Sequence, residues 1–244
     1  MQDQAPGLEF EDDVATLTLR RTSQHNRIAP EDCEVISGHL RRAASRDGLR
    51  ALVVTGSGDK TFSSGYTLGA IRGQLDHRFE DMLDELEQFP LPTICALNGS
   101  VYGGATDLAL CCDFRIGVAG SRFLMPASRI GLHYYPAGIR RYVTVLGLAA
   151  SKKLFLTAQA VHDQEMLRIG FLQELVERAE LPGAVDRYLD SIRGCEPAVL
   201  RTMKADLARV AAGQYDAAAL RAHYEASLGS DALASRLAAM AARP

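Results

Sequence analysis

Phe62-Ser63-Ser64-Gly65-Tyr66 and Asn98-Gly99-Ser100-Val101-Tyr102-Gly103-Gly104 are two glycine turns whose reading decides the fold. The first follows the apolar, β-branched run Ala51-Leu52-Val53-Val54-Thr55, and the second follows Thr93-Ile94-Cys95-Ala96-Leu97. Each leads into a predicted helix. Glycine lets a chain turn sharply and brings bare backbone close to a ligand. A helix start leaves N–H groups unpaired and aims them at whatever lies in front. Two such turns at the ends of neighbouring strands direct two amides at one oxygen. That arrangement is an oxyanion hole and points to chemistry on a carbonyl that passes through an anion.

Outward from these turns, strand and helix alternate. Val14–Leu19 has strand character, and Glu31–Ala44 carries Val35, Ile36, Leu40 and Ala43 along one helical side after Pro30. Leu49–Thr55 is a buried strand, Leu75–Phe89 is helical, and Thr93–Leu97 is a strand. Gly104–Cys111 is a short apolar helix, and Asp113–Val118 another strand. The alternation indicates an α/β core. No GxGxxG follows the first strand, which disfavours a dinucleotide fold. Past Ala137 helices dominate, and Leu181–Arg193, Pro197–Ala212 and Ala217–Leu228 carry alanine and leucine at three-to-four spacing. Residues 190–244 are therefore expected to form a helical appendage. Its apolar faces are too extensive for isolated helices, so it folds back on the core or packs against another subunit.

Composition narrows the function classes. The net charge of −3 gives no sign of a basic nucleic-acid surface. No stretch approaches the roughly 18 apolar residues of a membrane span. Met1–Gly7 lacks the basic start and apolar run of a signal peptide, so a cytoplasmic location is expected. The five cysteines show no CxxC spacing, and the six histidines no HExxH, so neither a disulfide frame nor a metal site is expected. Ser63 and Ser64 precede Gly65, but no GxSxG surrounds them, which argues against a serine nucleophile.

In order and spacing the chain resembles the crotonase, or enoyl-CoA hydratase/isomerase, superfamily. The resemblance rests on Val14–Leu19 with Asn26, Leu49–Gly56, Phe62-Ser63-Ser64-Gly65, and Asn98-Gly99-x-x-x-Gly103-Gly104-x-x-Asp107-Leu108-Ala109-Leu110. It continues through Cys112-Asp113-Phe114-Arg115-Ile116 and Phe123-x-x-Pro126-x-x-x-x-Gly131-Leu132. It implies an α/β crotonase (ClpP/crotonase-like) fold, a ββα spiral core over residues 1–189. It also implies a C-terminal helical trimerisation region over 190–244 and assembly as a homotrimer or dimer of trimers. The implied ligand is an acyl-CoA thioester acting as substrate, with no other cofactor. By position, the oxyanion donors are the N–H groups of Tyr66 and Gly104. CoA is expected along the backbone around His25, Asn26 and Arg27 and around Phe62, Ser64 and Gly65. Leu68, Gly103, Ala127, Leu132 and Tyr134 are further expected substrate contacts.

The same resemblance exposes a departure. Hydratases of this superfamily use two glutamates. The first position is Asp107 here, and the second is Ala127, beside Pro126, so that carboxylate is missing. One carboxylate suffices to move one proton beside the thioester, but not for paired activation of water. Asp107 is expected as the sole acid/base, the alternative being a helix-dipole or backbone-bonding role. His133-Tyr134-Tyr135-Pro136 replaces the usual small loop. Tyr134 or Tyr135 is a candidate donor to a substrate, as in a decarboxylase or thioester hydrolase, the alternative being that both narrow the acyl pocket. A non-catalytic thioester-binding protein stays open as well. Gly69–Gln88 corresponds to a flap over the acyl group, with its charges on the outer face of a helix.

Overall fold

The computed structural model describes residues 3–242; Met1, Gln2, Arg243 and Pro244, the outermost residues of the expected segments, lie outside the described residues. Among the described residues there are ten strands: β1 Gly7–Glu11, β2 Val14–Leu19, β3 Ala51–Gly56, β4 Thr61–Ser63, β5 Thr93–Leu97, β6 Ser100–Tyr102, β7 Phe114–Val118, β8 Arg122–Leu124, β9 Val161–His162 and β10 Glu174–Val176. The helices are α1 Pro30–Ala44, α2 Ile71–Gln74, α3 His77–Glu87, α4 Gly104–Leu110, α5 Pro136–Thr157, α6 Asp163–Arg168, α7 Leu181–Gly194, α8 Pro197–Ala211, α9 Ala217–Leu228 and α10 Asp231–Ala241. Helix α5 is interrupted at Gly147.

The strands form a six-stranded sheet, β1-β2-β3-β5-β7-β10, and a four-stranded sheet, β4-β6-β8-β9. The ββα spiral is explicit in this order. β3, β5 and β7 enter the large sheet, and the strand after each (β4, β6, β8) enters the small one before the chain turns helical. β3 and β5 are parallel neighbours inside the large sheet, and β5 is buried throughout. A parallel strand covered on both faces has no need to alternate, hence the near-continuous apolar runs in the sequence.

Alternate residues of those strands feed two cores. Leu52, Val54, Cys95 and Leu97 point into the larger one with Phe62, Val101 and Phe123 of the small sheet and the buried faces of α1 and α3. Val53, Ile94, Ala96 and Ile116 point the other way, onto Leu181, Ala184, Val185, Leu189 and Ile192 of α7. The expected division at 189/190 therefore cuts through α7, a helix of the core. Projecting structure begins at α8, and α8, α9 and α10 bury no residue.

The expected flap is two different things. α2 and the turn before it bury nothing, whereas α3 packs Phe79, Met82, Leu83 and Leu86 into the core.

Candidate active site

The glycine turns do not cap the large-sheet strands directly. They end the short strands β4 and β6, which pair in parallel, Thr61 with Ser100 and Ser63 with Val101. This pairing brings Gly65 beside Gly104. Gly65 has φ +84°, and a Cβ there would lie 2.5 Å from the Tyr102 carbonyl oxygen and 2.8 Å from the Gly104 nitrogen. Gly103 has φ +53°, which turns the chain out of β6 and into α4. Both conformations disfavour any side chain.

Ile28 and Gly65 bracket the first amide. Ile28 N–H donates to the Gly65 carbonyl at 2.8 Å, and Thr67 N–H donates to the Ile28 carbonyl at 2.9 Å. Among the described residues, neither Tyr66 N–H nor Gly104 N–H donates to a protein acceptor. Gly104 opens α4, where the first turn has no intrahelical partner. Both residues line a cavity of about 530 Å³. Two free backbone donors at one cavity wall can receive a developing negative charge on an oxygen without reorganising.

The segments expected to carry CoA are knitted together. Ser64 N–H donates to the His25 carbonyl at 2.8 Å, and Ser63 Oγ donates to the Asn26 carbonyl at 2.6 Å. That bond and the Gly65 N–H it accepts at 3.1 Å occupy the Ser63 hydroxyl. Asn26 is buried, and its amide donates to the carbonyls of Ser57 at 2.8 Å and Thr61 at 3.0 Å. Asn98 likewise donates to Gly56 and Gly58, each at 2.7 Å. These two asparagines clamp the loop between β3 and β4 to the rest of the site. Phe62 is a core side chain, so only its backbone is available for the expected ligand contact. Of the expected substrate contacts, Ser64, Leu68, Gly103, Ala127, Leu132 and Tyr134 line the cavity. His25, Asn26, Arg27, Phe62 and Gly65 do not.

Asp107 differs from expectation. It is fully buried and does not line the cavity. Arg141 Nε donates to its Oδ1 at 2.9 Å, and Tyr134 Oη donates to its Oδ2 at 3.1 Å. Tyr135 Oη donates to the same Oδ2 and accepts from Arg141 Nη2 at 3.1 Å. Arg141, buried in turn, reaches Asp84 at 2.8 Å and Glu87 at 3.0 Å through Nη1. A buried carboxylate held by a guanidinium and two phenols is placed as a counter-ion to Arg141, a geometry that favours a structural role for Asp107 over the expected one of sole acid/base.

The tyrosine expectation is corrected for the same reason. Burial and the adjacent Asp107 carboxylate hold both phenols well above their usual range, so they stay protonated as donors to Asp107. Neither hydroxyl is free for a substrate. Their rings still line the cavity, matching the alternative reading that they narrow it. His133 bonds the neighbouring Tyr134 carbonyl at 2.8 Å through Nδ1 and belongs to the loop.

Asp76, His77, Glu80, Asp81 and Asp84 of the α3 segment also line the cavity, so these charges are not simply an outer helical face. Nothing in the local sequence marked them, because the i, i+3, i+4, i+7 face of α3 looks outward until α4 and the loop at Leu132–Tyr135 are folded against it.

This spiral of ββα units with an amide pair at the junction of the sheets defines the crotonase fold. Enoyl-CoA hydratase of Bacillus anthracis superposes with a TM-score of 0.88 at 22% identity, covering 97% of this chain and 96% of that one. The enoyl-CoA hydratase/isomerase family profile matches residues 9–231, and the chain belongs to that family. Among its relatives, crotonyl-CoA hydratase of Syntrophomonas wolfei is 27% identical over 208 residues, 81% of this chain and 79% of the relative. Short-chain-enoyl-CoA hydratase of Clostridium acetobutylicum is 27% identical over 207 residues, 81% and 78% of the two chains.

Proposed function

We propose that this protein binds an acyl-CoA thioester with its carbonyl oxygen between Tyr66 N–H and Gly104 N–H and stabilises the enolate formed by proton transfer at the adjacent carbon. The observation that carries this reading is the pair of unpartnered amides at one wall of the cavity. The family supports it, since the relatives named above act on enoyl-CoA esters by their names. Paired-carboxylate hydration is disfavoured. Ala127 offers no carboxylate where the second glutamate is expected, and Asp107 is neutralised by Arg141. Decarboxylation or hydrolysis through a tyrosine hydroxyl is disfavoured because Tyr134 and Tyr135 both donate to Asp107.

The test compares two substitutions at one position. Proline is tolerated at the first residue of a helix and lacks the N–H. Gly104→Pro removes the donor. Gly104→Ala keeps it while imposing a comparable contact on the Phe79 ring, which lies 2.7 Å from where the new Cβ would stand. Exchange of the α-hydrogens of butyryl-CoA in D2O, followed by proton NMR, should be about 10²–10³-fold slower in the proline variant than in the alanine variant. Equal rates would refute the oxyanion assignment. Calorimetric binding without exchange in the unaltered protein would favour the non-catalytic thioester binder.

A further inference from the structure

The proposed enolate chemistry leaves the proton without a carrier, since Asp107 is locked and Ala127 has no acid. We infer that Glu80 is the catalytic carboxylate of this site, taking the proton from the carbon beside the thioester carbonyl and returning it. The inference rests on the oxyanion reading above.

Placement on α3 is the first argument. Phe79, one residue earlier, touches both amide-bearing residues. Its Cζ lies 2.7 Å from where a Gly104 Cβ would stand, and its ring meets that of Tyr66 edge-on with centroids 5.2 Å apart. The helix therefore crosses directly over the oxyanion donors. Glu80 follows on the side of α3 that lines the same cavity, together with His77, Asp81 and Asp84.

Availability is the second. Asp84 is paired with Arg141 at 2.8 Å. Asp76 caps α3 by accepting from Arg78 N–H at 3.0 Å and is held by the Arg78 guanidinium. Asp81 lies on the exposed rim, in free contact with water. Glu80 is half-buried, and among the described residues it has neither a hydrogen-bond nor an ion-pair partner. A partly desolvated carboxylate in a cavity, with no protein partner for its lone pairs, has the character required of a general base.

Its ionisation is consistent with that role. Burial pushes the Glu80 carboxyl above its usual range, and the like charges of Asp84 and Asp81 push the same way. Arg141 from α5 and His77 on its own helix pull it down, with the net shift upward. Such a shift brings a carboxyl closer to the working pH of a proton shuttle. The step balances without a further reactant. The Cα–H bond breaks, its electron pair forms the enolate double bond, and the charge comes to rest on the thioester oxygen at Tyr66 N–H and Gly104 N–H. The proton passes to Glu80, whose carboxyl at the half-buried site exchanges it with water, and a solvent-derived proton is delivered to the carbon on collapse.

The same butyryl-CoA exchange assay tests the assignment, combined with calorimetric affinity for the ester. Glu80→Gln keeps the shape and loses the base. Exchange should fall about 10²–10⁴-fold, while affinity stays within about threefold of the unaltered protein. Glu80→Asp, which retains a carboxylate on a shorter stem, should recover part of the rate. In the unaltered protein the rate should rise with pH through a midpoint above the ordinary glutamate value of about 4.3, and Glu80→Gln should lack that step. Full exchange in Glu80→Gln overturns the assignment of Glu80 while leaving the oxyanion reading intact. Equal rates in Gly104→Pro and Gly104→Ala, or no exchange in the unaltered protein, overturns both.

Discussion

Arg141 is the residue on which the interior of this site depends. Its guanidinium is buried, and it faces one carboxylate with no access to water, Asp107, and two with some, Asp84 and Glu87. Removing the arginine strands a charge that has no solvent to turn to, whereas Asp84 and Glu87 rehydrate. Breaking a buried pair from one side is strongly destabilising for this reason. Arg141→Met is expected to lower unfolding free energy by about 3–5 kcal/mol in urea titration. Adding Asp107→Asn should restore part of it, because the stranded charge is removed as well. A cost under about 1 kcal/mol for Arg141→Met, as for a surface pair, would contradict the counter-ion role of Asp107.

At the scale of elements, the site is a meeting of short pieces held by long ones. β4 and β6 are three residues each and make a wall only because they pair with each other and β6 pairs with β8. α4 buries every residue after Gly104, so its amide terminus is fixed in place. α2 has no buried residue and begins after a turn in which Leu68 is 69% exposed. Local opening follows the density of buried contacts. Hydrogen exchange should therefore be complete in residues 68–74 well before it begins in residues 105–110. Comparable protection in the two segments would show that α2 is anchored by something other than packing.

For the whole molecule, the distribution of apolar surface is uneven. The two cores are filled, yet α8, α9 and α10 bury nothing while Met203, Leu207, Leu237 and Met240 are each more than half exposed. α8 is tied down near its start, where Leu200 packs on the second core, and at Lys204, which donates to the Leu91 carbonyl at 2.9 Å and pairs with Asp113 at 2.6 Å. Apolar patches of this kind are usually covered. Light scattering is expected to return three or six copies of the 26.5 kDa chain, and Leu207→Asp should shift the mass downward. A single-chain mass for the unaltered protein would rule out the assembly expected from the family resemblance.

Local order was legible because it is governed by near-neighbour chemistry. Apolar runs marked β2, β3, β5 and β7, helical spacing marked α1 and α3, and the glycines marked where backbone amides lie bare. Ala127 announced the missing carboxylate as directly as any residue can. Short strands such as β4, β6, β8 and β9 carried too few residues for a periodicity, and only pairing across the fold makes them strands. The fates of Asp107 and Glu80 were likewise set in three dimensions. Asp107 sat in the expected motif but is neutralised by Arg141, thirty-four positions away. Glu80 sat among helix charges, and it faces a cavity only because α3 crosses Gly104. Sequence determines which groups are present and how the chain locally bends. Which carboxylate is paired and which is left free depends on distances that no spacing along the chain encodes, because Coulomb attraction and desolvation act through space.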